Sequence, residues 1–596
     1  MTAITNGGMV TFTIEVDGKI ISDHINVQSI IMNNGINRIP TATIIILDGD
    51  ASTGKFEESS SSTFLPGAEV IIETGYDSHN QQIFRGIITK QRIKVDNIVG
   101  STLEVECKDE AIKMTVGKKS LTFQNKKDSE ILTSIIGNYS GLTSNVADTN
   151  AIESTQIQYN TTDWDYIISK AETNGLVVIP IDGKVSIQRP DYDTSSVLTL
   201  SYGDNLLGFD GELNAITQLN NVTAHSWDYS KQSVISGEAQ NTITGAGNLS
   251  PSKLSEVIGL DCYQLQTSAN LTTPELTEWA KAEMIKSELS KITGTAKCQG
   301  SSIVVSGKYI TLGGLGDRFN GDHIISEVNH TIAHGDWTTE ISIGMAIEPA
   351  KETSKVSTLS EGGFMPKVNG LFNGTVKKIA DDPENQYRIL LDVPLFDQSG
   401  EGVWARFSNF YSTSGAGAFF MPEVGDEVVL GFLSEDPRYP IILGSLYSND
   451  VNKPHNRLNN NDKNSIKAIV SKSGISLKFD DENKILSICT PSNNTVVLND
   501  NDQQITLEDQ HSNSIVMSSS GITIKSSKDL NFEADQNINI KGTTGIKVAA
   551  SGGDVETTGM NVKMNADAQF SAKGSATAEV QGGAELTLKG AMVMIN

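Results

Sequence analysis

The chain has 596 residues and a formal charge of −26, from 46 Lys and Arg against 72 Asp and Glu. That balance excludes long-range attraction to nucleic acid or to an anionic membrane surface, and the length leaves room for several domains. The residues AVILMFWYC make up 38% and 53 residues are Gly, which suits many strands with one buried face each rather than a few large cores.

The four cysteines, Cys107, Cys262, Cys298 and Cys489, form no C-x-x-C pair, so buried free thiols are expected rather than a disulfide scaffold. The opening MTAITNGGMVTFTIEVDG has neither a basic n-region nor an apolar h-region, so no cleaved secretory signal is expected. From Met9 to Lys118 the pattern is strands, with DG and VG turn signals. Between about Gln124 and Gly175 it becomes helical, and strands resume with LVVIPIDGKVSIQRP. KDSEILTSIIGNY predicts a helix capped by Asp128. TTDWDYIISKAETNG predicts one capped by Thr162, with Trp164, Ile167, Ile168 and Ala171 on one face and Gly175 as its stop. A third helix starts at Thr273-Pro274 and is expected to stop at Gly294. Lys351 to Phe364 is polar and Ser-rich and reads as a linker, followed by a strand-rich block at 365–448 and a polar joint at 449–465.

The tail alternates. Leu530, Phe532, Ile538, Ile540, Ile546, Val548, Val562, Met564, Phe570, Leu586 and Leu588 all hold even positions and face one side of extended strands, as the candidate core. No helix or second apolar sheet follows to cover them. An open apolar strip of this length aggregates, so the expectation is self-association around a common axis, a three-sided prism being the simplest form. At about 4.8 Å per rung, eight to ten rungs give a rod of about 40–50 Å. Ala dominates the even positions between residues 566 and 584, where Ile and Phe stand earlier, which narrows the shaft towards its end. A single-chain β-solenoid is the alternative.

Residues 365–448 closely resemble the OB-fold neck of VgrG proteins, the spikes of type VI secretion systems (the Rhs-element Vgr family), and the hub-and-spike proteins of contractile phage tails. The match runs through Gly374, Val376, Asp382-Pro383, Val403-Trp404-Ala405-Arg406, Phe420, Pro422, Gly425-Asp426-Glu427, Gly431-Phe432, Asp436-Pro437 and Gly444. The resemblance implies a mainly β chain: a phage hub-like base at 1–350 with two barrel-like domains and an α+β insert at about 120–200, a linker at 351–364, the neck at 365–448, a joint at 449–465, and a trimeric β-helix or β-prism needle at 466–596. It also implies a homotrimer that caps a hexameric inner tube, contacts baseplate proteins, punctures membranes and carries a PAAR-type tip protein and effector cargo. Assembly in the bacterial cytoplasm would precede delivery in a contractile particle. Ala591, Met592, Val593, Met594, Ile595 and Asn596 form a blunt apolar end suited to docking that tip.

No catalytic constellation is expected. Asp381-Asp382 and Glu435-Asp436 read as solvated turn acids. His323, His330 and His334 lie on strand-like sequence; spaced along a strand, the last two stand about 13 Å apart, too far to share a metal. No P-loop or G-x-S-x-G is present, and no cofactor or metal is expected. Within 361–455, seven Lys and Arg face thirteen Asp and Glu, which argues against a nucleic-acid-binding OB groove. The remaining functional alternative is a trimeric β-solenoid adhesin or a polysaccharide-binding or -degrading tail fibre.

Overall fold

A computed structural model describes residues 8–96, 100–190, 194–228, 233–241, 245–267, 271–345, 368–393, 401–448, 452–455 and 462–595. The expected linker at 351–364 and Asn596 lie outside the described residues. The chain divides into two units, Met1–Pro454 and His455–Asn596.

In the first unit a 13-stranded sheet runs through the base. Its strands show the period of two expected of half-buried β-structure: in Thr41–Leu47, Ala42, Ile44 and Ile46 are buried and their neighbours are not. The sheet wraps two hydrophobic cores. One contains Ile14, Ile30, Ile44, Val70, Phe84 and Val105; the other contains Leu200, Cys298, Ile310, Ile325 and Ile341. A single long strand, Gly321–Ala333, ties them together, pairing with Val27–Gly35 on one side and Asp336–Ile343 on the other. Its Ile332 joins the first core and its Ile325 the second. One continuous sheet therefore joins the two cores.

The insert pairs Lys119–Lys127 with Ile152–Thr161 and adds the helices Asp128–Gly137 and Asp163–Thr173. Thr162 caps the second helix by accepting the Asp165 N–H, and Gly175, at φ 65°, ends it. Asp128 is the first residue of its helix, not the cap; Lys127 holds that position. The third helix spans Thr273–Leu289 and begins with a Thr272/Glu275 capping box. It stops at Ser290, before Gly294, because the chain there pairs as the strand Ile292–Gln299. The helix lies so close to the strand Ser233–Gln240 that a Cβ on Gly237 would stand 2.3 Å from the Thr277 nitrogen.

The neck is a closed barrel of Phe372–Lys378, Ile389–Asp392, Val403–Phe407, Pro440–Ser445 and Glu427–Phe432. Val376, Leu391, Ala405, Leu430 and Ile442 fill it, and Ile157 from the insert completes its core.

The second unit starts as a seven-stranded antiparallel meander whose spatial order equals its chain order, from Ile466–Val470 to Gly521–Lys525. Its strands are five residues long. The turn residues Gly474, Asn493 and Ser512 all have positive φ and recur at an interval of 19. The same hydrogen bonds close each turn: Ser471 N to Ile475 O, Thr490 N to Asn494 O, and Asp509 N to Asn513 O. Beyond Lys525 the described residues, to Ile595, form neither helix nor strand and pair with no strand.

Candidate functional site: an uncovered apolar face along the tail

The register of the meander builds two apolar columns. One runs Ile469, Leu477, Ile488, Val496, Leu507, Ile515, Ile524; the other runs Phe479, Leu486, Leu498, Ile505, Met517, Ile522. Inward residues are odd in some strands and even in others, because alternate turns shift the register by one. The opposite face carries Ser, Thr, Lys, Val and Cys, for example Lys478, Ser487, Val497, Thr506 and Thr523. In the single chain nothing covers the apolar columns: Phe479 is 42% exposed and Leu498 40%. One-sided apolar sheets of this size do not remain open in water.

From Asp529 the chain follows an eight-residue beat. It bends at 527–528, 535–536, 543–544, 551–553, 560, 567–568, 575–576, 583–584 and 591. Apolar residues recur at the second and fourth place of the beat: Leu530 and Phe532, Ile538 and Ile540, Ile546 and Val548, Val562 and Met564, Phe570 and Ala572, Ala578 and Val580, Leu586 and Leu588. Each expected core residue from Leu530 to Leu588 is exposed in the isolated chain. Among the described residues of 526–595, no strand pairing and no backbone–backbone hydrogen bond is made. Extended backbone without partners is not stable in a folded protein. The terminal Met592, Val593, Met594 and Ile595 are likewise exposed, as is Ala591.

The sixth place of the beat is small: Ala534, Gly542, Ala550, Ala566, Gly574, Gly582 and Gly590, with Thr558 once. A Cβ on Gly582 would lie 2.4 Å from the Glu585 carbonyl oxygen, whereas one on the adjacent Gly583 meets nothing within 4 Å. Gly582→Ala should therefore lower the thermal midpoint of the tail by overpacking, at about 1–3 kcal/mol, and Gly583→Ala should not. Calorimetry of both full-length variants checks this.

Of the four turn acids in the neck, Asp381 is exposed and Glu435 half-buried, but Asp382 and Asp436 are not solvated. Asp382 is 9% exposed and Asp436 4%. Asp382 accepts hydrogen bonds from the backbone N–H groups of Glu384, Gln386 and Arg388 and from the Arg388 guanidinium. Burial raises its pKa, but these donors outweigh it and hold the carboxyl at about 2. Asp436 pairs with Arg438 at 2.8 Å, and Arg438 also reaches Glu153 of the insert at 3.1 Å. Lys170 completes the cluster, 2.9 Å from Asp128 and 3.8 Å from Glu153. Burial pulls the Lys170 pKa down, yet Asp128 and Glu153 outweigh it and keep it above the ordinary lysine value. Burial pushes Glu153 up, with Arg438 and Lys170 opposing. The short spacing of acid and base at a turn hid this: a tight turn buries its organising carboxylate when an Arg follows it. Of the other neck residues, Gly425 takes φ 96° in a turn closed by Asp426, which accepts the Glu423 N–H. Glu427 pairs with Asn373. Phe432 packs edge-on to Phe372 at 5.7 Å. Trp404 and Gly431 lie on barrel strands, as does Gly444, and Pro437 sits at the Arg438 turn. Pro422 is buried and Phe420 is exposed.

The histidines do not converge on a metal. His330 is buried, its Nδ1 2.9 Å from Thr339 Oγ1 and accepting from the Trp337 indole N–H. His323 hydrogen-bonds the Phe319 carbonyl oxygen, and His334 sits in the two-residue turn with Gly335. Among the described residues no group of three or more His, Cys, Asp and Glu side chains is placed to hold a metal ion, and no helix is long and apolar enough to cross a membrane. Burial lowers the His330 pKa to about 4. The unfolded chain takes up this proton near pH 6.5, so His330 costs the base stability as pH falls from 6.5 to 4, on the order of 3 kcal/mol. Melting curves between pH 7 and 4.5 should show a steeper loss for the native protein than for His330→Asn.

Comparison with known proteins supplies the family. Residues 6–334 match the family model described as the Alg8 N-terminal domain. The chain belongs to the Alg8 N-terminal domain family. In this Alg8-family chain the neck, residues 372–447, matches the type VI secretion system/phage-baseplate injector OB domain. It is also 33% identical over 86 residues to the type VI secretion system spike protein VgrG1a of Pseudomonas aeruginosa. That stretch is 14% of this chain and 13% of the relative. In fold, the Alg8-family chain is similar to a structure of the Francisella PdpA–VgrG complex, with a TM-score of 0.50 at 10% identity, covering 88% of this chain and 81% of that one. An Escherichia coli type VI secretion component, c3393, aligns with 73% of this chain and 99% of its own at a TM-score of 0.44 and 13% identity.

Proposed function

We propose that this protein is the structural spike of a contractile injection system: a homotrimer that caps an inner tube and drives its C-terminal needle through a target membrane. The observation that carries the reading is the stretch 526–595, apolar twice in seven of the eight eight-residue beats of 529–592 and, among its described residues, unpaired within its own chain. Copies wound around a shared axis satisfy both demands at once, pairing their backbones with each other and enclosing the apolar positions. Upstream, each meander is already hydrogen-bonded within one chain and needs only its apolar face covered. Three such faces closing on one another make a prism continuous with the wound tip. The needle works by rigidity and carries no catalysis. The tail's aromatic residues, Phe479, Phe532 and Phe570, all lie at apolar-face positions, so no aromatic platform for sugar is offered on the outside.

On this reading the base contacts a hexameric inner tube and baseplate proteins, and Ala591 to Asn596 seat a PAAR-type tip protein that bears effector cargo. Assembly takes place in the bacterial cytoplasm, and the particle carries the spike outward. Light scattering of the purified full-length protein should give three times the chain mass. Electron microscopy of native particles should find the spike at the tube end of a sheathed assembly. A stable monomer, its tail side chains enclosed, overturns the proposal.

A further inference from the structure

One of the eight-residue beats breaks the rule. In 553–560 the second and fourth places hold Asp554 and Glu556, and the apolar Val555 stands between them. Kept in step, three chains would place six carboxylates against the axis, uncompensated by any Lys or Arg within the beat. The backbone departs from the rhythm at the same place. The chain bends at three successive residues, 551–553, where each earlier bend takes two, and the next bend falls on residue 560 alone, as the last one does on residue 591. Gly552 and Gly553 occupy the extra bend, and a Cβ on either would meet nothing within 4 Å. The side chains agree. Thr558 Oγ1 donates to Glu556 Oε1 at 3.3 Å. The same pairing two residues apart recurs at Thr587 and Glu585, at 2.6 Å, on the polar side of a regular beat, between Leu586 and Leu588.

We infer that the strand of the 553–560 beat is turned over by a one-residue slip at Gly552-Gly553, so that Val555 faces the axis while Asp554 and Glu556 face outward. This rests on the trimeric needle proposed above. A one-residue slip exchanges the two faces of a strand, and bulges that do so occur where a ladder must change phase. The needle then has, partway along its length, a level filled by one apolar side chain per chain instead of two, encircled by a collar of six carboxylates. That level is the thinnest part of the shaft's core.

Cysteine accessibility tests this in the full-length protein. Val555→Cys and Asp554→Cys are exposed to a maleimide under native conditions, and the modified peptide is read by mass spectrometry to separate it from the four native cysteines. The slip predicts that Cys at 554 reacts about tenfold or more faster than Cys at 555, since protection follows enclosure. The reverse order, or equal rates, overturns it. As a second measurement, Val555→Asp should lower the melting temperature of the trimer and Glu556→Ala should not; the opposite result overturns the slip. If light scattering finds a monomer, the needle reading itself falls. A trimer with position 554 protected removes the slip alone.

Discussion

Ile540→Asp should leave the full-length protein unable to close its tail. Ile540 occupies the fourth place of a regular beat, next to Ile538 and one beat before Val548. In a three-chain needle the substitution sets three carboxylates around the axis, where no cation is near. An uncompensated buried charge costs several kcal/mol, and here the cost is met three times in one assembly. The expected result is loss of protease resistance in 529–595 together with a lower trimer mass or melting temperature. Lys541→Asp, one residue away and on the polar side, should leave all three unchanged. If the Ile540 variant keeps the native mass, melting temperature and resistance, the inward assignment is wrong.

The second large effect is expected at Arg438, which joins the neck to the insert. Its guanidinium lies between Asp436 and Glu153, with 7% of the side chain exposed. Arg438→Ala strips buried Asp436 of its counter-ion and takes one of two cations from Glu153, a loss of about 3–5 kcal/mol. Glu153 still has Lys170 at 3.8 Å, so the stranded partner is chiefly Asp436. Chemical denaturation should show the neck unfolding at lower denaturant than the base. Adding Glu153→Gln should restore part of the loss, and the double-mutant cycle then measures the coupling between neck and insert. A cycle that is additive to within about 0.5 kcal/mol would mean that the pair does not couple the two.

The local grammar of this protein was readable from its residues. The helix at Asp163–Thr173 was predicted from Thr162 and Gly175, because a cap and a left-handed stop act within a few residues of the helix they bound. Parity in the tail groups Ile538, Ile540 and their fellows on one face of a strand, the assignment on which the proposed needle rests. The turns of the 466–525 meander shift that parity, so its two columns emerge only when the strands are paired.

What the sequence by itself determined is which residues are buried in the barrel strands of the neck and in the helix stripe at Trp164 and Ile167; burial of the alternating tail belongs to the needle proposed above. Only the tertiary structure decided where distant charges meet. Asp436 and Asp382 looked like solvated turn acids, and the fold buried both against arginines. Glu153 and Arg438 lie 285 residues apart, and Gly321–Ala333 pairs back to Val27–Gly35 across most of the base. Alternation and capping are set by neighbours along the chain. An ion pair or a sheet partner depends on closing a long loop, and no short stretch of sequence records which loop closes.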